Sequence, residues 1–341
     1  MSVQTRSNPS PPSAAAETKA GFQLDFHVLG PIIALLVLLA IGAGLNDNFL
    51  STANITNVLA RSAFIGIIAV GMTFVITAGG LDLSVGSMAA FIAGLMILTM
   101  NLALPAMGVG IPIILLGVVV AIVAGLLAGL LNGFLITTMR IEAFIVTLGT
   151  MGIFRSLVTW LADGGTLSLD FSLRAAMRPI YFDGIGPISW PIIAFAVVAL
   201  LGELVMRRTA FGRYCAALGS NEQVARYSSV NVDRVRIWGY ILLGLLVGIA
   251  TIMYVPRLGS ASSSTGVLWE LEAIAAVIIG GTMLKGGFGR VWGTVVGVLI
   301  LSLIGNILNL TDAVSPYLNG AIQGVIIILA VVLQRERKAG T

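Results

Sequence analysis

The sequence predicts an all-α fold, a polytopic bundle of about ten transmembrane helices with the N and C termini in the cytosol. Three observations lead to this prediction. First, 57% of the 341 residues are hydrophobic and only 10% are charged, whereas soluble domains carry roughly 25% charged residues. Second, the apolar residues form continuous runs rather than the alternating pattern of a β-barrel. Third, the basic residues gather on one side of these runs.

Ten apolar runs approach the roughly 20 residues that a membrane-spanning helix needs. The runs cover residues 29–45, 60–78, 84–104, 112–138, 143–162, 188–206, 237–256, 271–284, 291–310 and 317–333. They define a transmembrane domain at 29–333. Residues 1–28 begin with a stretch rich in Ser, Pro and Ala, which predicts a disordered or interfacial tail. Residues 334–341 are predicted to be a cytosolic tail.

Lysine and arginine predict the orientation, because they are enriched in cytoplasmic loops. With the N terminus inside, 14 of the 19 basic residues fall on the cytosolic side and four on the outer side, while Arg155 lies within a span. The cytosolic residues are Arg6, Lys19, Arg140, Arg207, Arg208, Arg213, Arg226, Arg234, Arg236, Lys285, Arg290, Arg335, Arg337 and Lys338. This bias predicts that both termini are cytosolic.

Several classes of function lack the residues that they would need. One cysteine, Cys215, and one histidine, His27, exclude an internal disulfide, a cysteine-ligated zinc site and a histidine cluster. The chain contains no P-loop, His-Glu-x-x-His or Gly-x-Ser-x-Gly motif. We therefore expect no catalytic site, and no metal or cofactor, ATP included, bound by this chain. No aromatic-rich basic block indicates nucleic-acid binding.

A polar, glycine-broken segment at residues 77–87 interrupts the apolar pattern. Gly79 and Gly80 predict the end of one helix, and Asp82 or Ser84 can cap the next. The hydroxyl and carboxylate groups of this segment are candidates for a substrate path, although a capped cytosolic turn explains Asp82 equally simply. These candidates are Thr77, Asp82, Ser84 and Ser87.

Polar residues within the other spans are further candidates for the wall of a path, because they are costly unless they face protein or water. They are Asn132, Thr147, Thr150, Arg155, Asn306 and Gln323. For each one, hydrogen bonding between helices is the simpler alternative. Arg155 lies near the outer end of its span, where its side chain is expected to snorkel to the surface.

Two glycine-rich turns resemble one another. Gly79-Gly80 is followed by five residues and Gly86, and Gly280-Gly281 is followed by five residues and Gly287. Each follows an inward-running span and precedes an outward-running one. Repeated, glycine-broken hydrophobic segments indicate a transport site in some membrane proteins, although coincidence is plausible in a chain with 41 glycines.

The longest cytosolic segment between spans is residues 207–236. It carries six basic residues, and its pattern predicts a helix from Asn221 to Ser228 with Asn221 as the N-cap and Glu222 in the first turn. Such a helix can dock into a cleft on another protein. Alternatively, it is an amphipathic connector that lies on the lipid surface.

At this point the chain resembles the ribose-type branch of the bacterial ABC sugar permeases, which includes ribose, xylose, arabinose and galactoside permeases. Four stretches carry the resemblance, which extends from about residue 30 to 333. They are Gly71-Met-Thr-Phe-Val-Ile-Thr-Ala-Gly-Gly-Leu-Asp-Leu-Ser-Val-Gly-Ser87, Ala143-Phe-Ile-Val-Thr-Leu148, Gly212-Arg-Tyr with Ala217-Leu-Gly-Ser-Asn-Glu222, and Leu271-Glu-Ala-Ile-Ala-Ala-Val-Ile-Ile-Gly-Gly-Thr282.

The resemblance implies a permease dimer in a bacterial inner membrane, which works with a separate ATPase that uses ATP and with a periplasmic sugar-binding protein. It makes residues 207–236 the coupling loop. The coupling residues implied are Gly212, Arg213, Gly219, Asn221, Glu222, Ala225 and Arg226. The chain departs from the family pattern where Gln223 and Val224 replace two alanines, and where Ser229 replaces a glycine.

An ion-coupled secondary sugar transporter is the alternative from another class, since the chain has no ATPase motif of its own. Such transporters often place carboxylates near the middle of the membrane. Here the five acidic residues in or beside spans fall near span ends, which disfavours that mechanism. They are Asp82, Glu142, Glu203, Glu270 and Glu272. An intramembrane enzyme is disfavoured by the missing catalytic groups.

Overall fold

A computed structural model gives the fold and describes residues 26–311 together with 318, 320–322, 324–325 and 328. The helices in the described part are α1 (Phe26–Leu45), α2 (Thr52–Thr77), α3 (Val85–Met107), α4 (Ile111–Thr138), α5 (Ala143–Leu161), α6 (Phe171–Met177), α7 (Pro179–Phe182), α8 (Trp190–Arg208), α9 (Ala210–Ser220), α10 (Glu222–Tyr227), α11 (Val232–Leu258), α12 (Trp269–Ile279) and α13 (Val291–Thr311). The strands are β1 (Thr166–Ser168), β2 (Gly184–Ile185), β3 (Ile188–Ser189) and β4 (Ser260–Ser262).

Seven of the described helices are long and apolar enough to cross a membrane, which confirms a polytopic helical membrane protein. They are α2, α3, α4, α5, α8, α11 and α13. Each coincides with a predicted span, and so does α1, whose apolar part is Gly30–Leu45. The eighth predicted span contains α12, but its 11 residues are too few to cross a bilayer alone. The tenth predicted run, 317–333, lies largely outside the described residues.

Helix α2 forms the centre of the bundle and α5 lies at its edge. Inside the bundle, 83% of the most apolar window of α2 is buried, compared with 28% for α5. The buried part of α2 is almost continuous from Ser62 to Thr77. It packs against α8, α11, α12 and α13, so that polar groups near its end are enclosed by protein rather than lipid.

Glycines allow α4 and α11 to cross with their backbones in contact, as the glycine content predicts. A Cβ on Gly125 would overlap the carbonyl oxygen of Gly244, and a Cβ on Gly129 would overlap that of Tyr240. Larger residues at these positions would force the helices apart. The crossing brings the ends of α4 and α11 that carry Asn132 and Tyr240 close to the turn between α2 and α3.

The short strands lie at the face of the bundle opposite α9 and α10. Strand β1 pairs antiparallel with β4, with Leu167 opposite Ala261, and β2 and β3 form a small hairpin. The sequence did not predict these strands. The pairing of β1 with β4 joins the segment after α5 to the segment after α11. Asn101 of α3 also holds β1, because it donates to the carbonyl of Ser168 at 2.8 Å.

Helix α12 begins deep inside the bundle. After β4 the chain turns inward, and a Cβ on Gly266 would overlap the carbonyl oxygen of Gly86. Trp269, the first residue of α12, stacks on Phe64 of α2 with a centroid separation of 6.5 Å. Phe64 precedes the end of α2 by 13 residues, or roughly 20 Å of helix. The predicted eighth span, 271–284, is therefore a half-length helix that ends at Ile279, with an irregular segment on each side of it.

Candidate substrate path and coupling segment

Three side chains form a closed polar cluster in the turn between α2 and α3. Both the backbone N–H and the hydroxyl of Ser84 donate to Asp82 Oδ1, at 2.7 and 2.6 Å. Asn132 of α4 donates from Nδ2 to Asp82 Oδ2 at 3.0 Å and to Ser84 Oγ at 2.9 Å. Each of the three residues is at most 1% exposed. The cluster therefore satisfies the carboxylate with donors from two helices.

The local sequence explains this geometry. Gly79 has a φ of +80°, which glycine adopts without steric cost, and it ends α2. Asp82 then accepts from the N–H and the hydroxyl of Ser84, the N-cap residue of α3, which makes no side-chain capping bond itself. Tyr240 of α11 donates to the carbonyl of Leu81 at 3.0 Å. Asp82 therefore stabilises the turn that precedes α3 and belongs to an enclosed polar group.

One polar atom of the cluster has no partner. Asn132 Oδ1 is buried and accepts no hydrogen bond within the described part of the chain. A buried acceptor without a donor is unfavourable by about 1–3 kcal/mol. A hydroxyl group that entered the cluster could donate to this atom.

The other predicted path residues lie beside the cluster or away from it. Thr77 and Ser87 flank the cluster and donate to the carbonyls of Thr73 and Ser84. Thr147 donates to the carbonyl of Ala143 in its own helix at 2.8 Å. Asn306 of α13 exchanges two hydrogen bonds with Asn54 of α2, an interhelical contact. Gln323 lies outside the described residues.

The predicted coupling loop consists of two helices. Asn221 accepts from the N–H of Val224 at 3.1 Å and caps α10, which is the helix expected from Asn221 onward. Helix α9, which the sequence pattern did not predict, precedes it and is capped by Thr209. Ser229, where the family pattern has glycine, has a φ of +63°. This left-handed conformation is the one that glycine adopts most readily.

The residues predicted for coupling divide between two faces. Gly212 and Ala225 are buried against the bundle, while Arg213, Asn221 and Arg226 are exposed. A Cβ on Gly212 would overlap the backbone of Met206. Cys215 is fully buried in the same interface, and this burial raises the pKa of its thiol to about 12. One face of α9 therefore belongs to the core.

Glu222 belongs to a chain of ion pairs at the surface. It contacts Arg236 at 2.6 Å and Arg226 at 2.8 Å, and Arg226 reaches Asp233 at 3.4 Å. Arg140, at the end of α4, also pairs with Asp233 at 3.6 Å. The hydrogen bond from Arg236, followed by that from Arg226, holds the pKa of Glu222 below its ordinary value. These pairs attach α10 to the start of α11.

The two similar glycine turns meet in space beneath α9. The N–H of Gly287 donates to the carbonyl of Thr77 at 2.9 Å. A Cβ on Gly286 would lie 2.9 Å from both the nitrogen of Gly79 and the Cα of Gly219. The similarity of the two turns therefore corresponds to a direct contact between them.

Comparison with known proteins identifies the family. The family model described as the permease component of the branched-chain amino acid transport system matches residues 54–331. This chain belongs to that family of transport permeases. It is 40% identical to the ribose import permease of Bacillus subtilis over 91% of this chain and 94% of the relative. It is 38% identical to the ribose import permease of Escherichia coli over 90% and 93%. The xylose transport permease of Escherichia coli is 31% identical over 98% and 99%.

Two structural contacts of the permease were not predicted from its sequence. Arg155, expected to snorkel to the surface, instead donates to the carbonyls of Ser263 and Thr265 and holds the segment before α12. Glu203 of α8 is 6% exposed and accepts from the N–H groups of Val291 and Trp292 at 3.1 and 3.2 Å. It therefore caps α13, a role that only the tertiary contact between α8 and α13 defines.

The exposed apolar residues of the predicted coupling loop were also missed. Tyr214, Val224 and Tyr227 are 42%, 57% and 88% exposed, and they lie on the face of α9 and α10 that points away from the bundle. Exposed apolar groups that cluster on one helix face are typical of a protein-docking surface. Their exposure could have been inferred only from knowing which faces of α9 and α10 are buried.

Proposed function

We propose that this chain is the permease subunit of a binding-protein-dependent ABC importer, and that it carries a ribose-type monosaccharide across the bacterial inner membrane. The observation that carries this proposal is the 40% identity to a ribose import permease over nearly the full length of both chains. The partners are a separate ATPase, which hydrolyses ATP, and a periplasmic sugar-binding protein. A second permease chain completes the path as a homodimer or a related heterodimer.

The proposed topology has ten spans with both termini in the cytosol, which makes the face with α9 and α10 cytosolic. The placement of basic residues supports this orientation, because Arg207, Arg208 and Arg213 lie at that face. The seven long helices, α1 and the α12 segment supply nine of the ten crossings. Residues 317–333 would supply the tenth, and residues 1–28 and 334–341 would be tails.

The ATPase is proposed to dock on the exposed face of α9 and α10. Three apolar side chains, Tyr214, Val224 and Tyr227, supply contact area, and Arg213 supplies charge at the same surface. Gly212, Gly219 and Ala225 face the bundle and would transmit the motion rather than contact the ATPase. Asn221 and Glu222 would set the position of α10 through its cap and its ion pairs.

The substrate path is proposed to include the polar cluster of Asp82, Ser84 and Asn132, with Thr77 and Ser87 beside it. A monosaccharide is neutral, so hydroxyl, amide and carboxylate groups can bind it through hydrogen bonds without an ion pair. The unpartnered Oδ1 of Asn132 is an acceptor for a sugar hydroxyl. Thr147, Asn306 and Gln323 are kept as path residues on the sequence argument alone.

Reconstitution in proteoliposomes tests the proposed function. The permease is combined with its ATPase and its sugar-binding protein, and uptake is measured for ribose, xylose, glucose and leucine, each radiolabelled. We expect ATP-dependent uptake of one pentose that requires all three components. Uptake of leucine would redirect the substrate assignment to the amino-acid members of the family. Uptake by the permease alone, driven by a proton or sodium gradient, would contradict the ABC mechanism.

A further inference from the structure

The two glycine turns form a continuous contact at the cytosolic face, which we call the seam. One side of the seam is residues 77–79, and the other side is residues 286–289. Besides the bond from Gly287 to Thr77, a Cβ on Gly289 would overlap the hydroxyl of Thr77. One helical turn further into the bundle, the hydroxyls of Thr73 and Thr294 hydrogen bond at 2.7 Å. The seam therefore joins the end of α2 to the segment before α13 without a gap.

The C-terminal turn of α9 lies across the seam. A Cβ on Gly219 would overlap both the carbonyl oxygen of Thr77 and the backbone nitrogen of Gly287, the acceptor and the donor of the hydrogen bond that closes the seam. The same Cβ would lie 3.0 Å from the Cα of Gly286. Only a residue without a side chain fits at a point where three backbones meet. Gly219 thus contacts both sides of the seam at once.

The polar cluster follows one side of the seam directly along the chain. The chain runs directly from Thr77 and Gly79 into the turn that carries Asp82 and Ser84. Asn132 lies six residues before the end of α4, so the cluster is roughly 9 Å inside the bundle from that end. All three cluster residues are buried. A sugar can reach them from the cytosolic side, or leave them toward it, only after the surrounding elements separate.

The far side of the seam is held to α8 as well as to α9. Glu203 caps α13 through Val291 and Trp292, two residues after the seam ends at Gly289. Helix α12 packs closely on α13, because a Cβ on Gly297 would overlap the carbonyl of Ala276. The segment at 286–289 therefore sits on a compact unit of α8, α12 and α13, while residues 77–79 belong to the central helix α2.

We propose that the seam is the cytosolic gate of the path and that Gly219 is the positioning residue by which α9 keeps it closed. Docking of α9 beneath the seam holds residues 77–79 against 286–289. A pull on α9 by the ATPase removes Gly219 from this junction, breaks the hydrogen bond between Thr77 and Gly287, and exposes the cluster to the cytosol. This inference rests on the proposed function for its direction of transport and its driving force.

Cysteine labelling tests the gate. In a background with Cys215→Ala, the probe variant Ser84→Cys is purified with the ATPase, reconstituted, and treated with a water-soluble maleimide in nucleotide-free and vanadate-trapped states. We expect Gly219→Ala to increase the labelling rate of the probe about tenfold, as a shift of a minor open state toward the major one would. We also expect that rate to stop responding to nucleotide, while the ATPase still co-purifies.

Two controls separate gating from loss of fold. Gly239→Ala adds the same methyl group on α11 where nothing lies within 4 Å, so it must leave the labelling rate unchanged. A second probe, Ala128→Cys, lies in the buried part of α4 and must stay protected in every variant. Labelling of both probes would mean that Gly219→Ala loosens the whole bundle, which would overturn the assignment of Gly219 as a gating residue.

A second variant keeps the test independent of whether Gly219→Ala inserts correctly. The double substitution Thr73→Val and Thr294→Val removes the hydrogen bond inside the seam while conserving side-chain shape. It is expected to increase labelling of Ser84→Cys severalfold. Unchanged labelling in this variant and in Gly219→Ala would overturn the gate. If wild-type proteoliposomes import no sugar, the proposed function fails by itself, since the labelling measurement requires no sugar.

Discussion

Helices α9 and α10 are neighbours in one loop, but they are attached to the bundle in opposite ways. Helix α9 is held by buried contacts: Gly212 lies against the backbone of Met206, and Cys215 and Leu218 are in the core. Helix α10 is held by half-exposed ion pairs around Glu222 and Arg236. Close packing tolerates almost no change in volume, whereas surface ion pairs are weak and screened by salt.

This difference fits the roles proposed above for the two helices. A helix that must transmit a displacement needs a rigid connection, and buried backbone contacts provide one. A helix that must fit a partner surface benefits from an attachment that can shift at little cost in free energy, and the half-exposed ion pairs of α10 are of this kind. Four predictions follow this contrast from the largest expected effect to the smallest.

The first prediction concerns the protection of Cys215. Its thiol is buried, and a pKa of about 12 leaves it protonated at pH 8, so maleimide labelling should be roughly a thousandfold slower than for a free cysteine. In a Cys215→Ala background, Ala217→Cys places a thiol on the exposed side of the same helix and should react rapidly. Equal labelling rates at the two positions would show that α9 is not docked as described.

The second prediction concerns overpacking of α9. Gly212→Ala places a methyl group against the backbone of Met206, and overpacking of this kind destabilises by about 1–3 kcal/mol. We expect a lower midpoint of thermal unfolding in detergent and a large loss of uptake. Gly239→Ala is the matched control and should behave like the wild type. A wild-type midpoint and wild-type uptake for Gly212→Ala would contradict the claim that α9 is closely packed against the bundle.

The third prediction concerns the ion pairs of α10. Glu222→Gln should weaken the attachment to Arg236 by about 1 kcal/mol or less, as for other surface pairs. Because the pKa of Glu222 is lowered in the folded protein, its contribution is complete above the ordinary glutamate pKa of about 4.3 and is lost as the pH falls below that value. The rate of limited proteolysis of the loop, compared at low and high salt and on both sides of a pH of about 4.3, measures how firmly α10 is attached. A salt-independent defect as large as that of Gly212→Ala would contradict the soft attachment.

The fourth prediction concerns the turn after α10. Ser229 has a φ of +63°, and Ser229→Gly should relieve roughly 0.5–1 kcal/mol of backbone strain. Thermal unfolding should show a midpoint that is unchanged or slightly higher, with uptake retained. Ser228→Gly, at an adjacent position with negative φ, serves as the control and should be neutral or slightly destabilising. A clear loss of stability in Ser229→Gly would mean that the serine side chain has a structural role.

Local features of the sequence predicted much of the fold and part of the site. Long apolar runs located the helices that cross the bundle, because hydrophobic length is a one-dimensional property. The N-cap at Asn221 was predicted because capping depends on a few adjacent residues. The cluster of Asp82, Ser84 and Asn132 was only half predicted: the residues were named, but nothing in the chain stated that α4 would bring Asn132 to the turn.

The remaining features depend on contacts between distant segments. Helix α9 was not predicted, because only the contacts with the bundle show that Gly212, Cys215 and Leu218 are buried. Arg155 looks like a snorkelling side chain until the carbonyls of Ser263 and Thr265 are placed beside it. The apolar run at 271–284 was predicted as a short span, although the helix within it ends at Ile279. The similarity of the two glycine turns was visible in the sequence, but their mutual contact was not.

The coupling of ATP hydrolysis to sugar uptake tests the central claim most directly. In proteoliposomes that contain the ATPase and the binding protein, both rates are measured for wild type, Gly219→Ala and Glu222→Gln. We predict that Gly219→Ala continues to hydrolyse ATP but imports little or no sugar, while Glu222→Gln retains most of both rates. Equal ratios of uptake to hydrolysis in the three proteins would contradict the conclusion that the buried contacts of α9 transmit the motion.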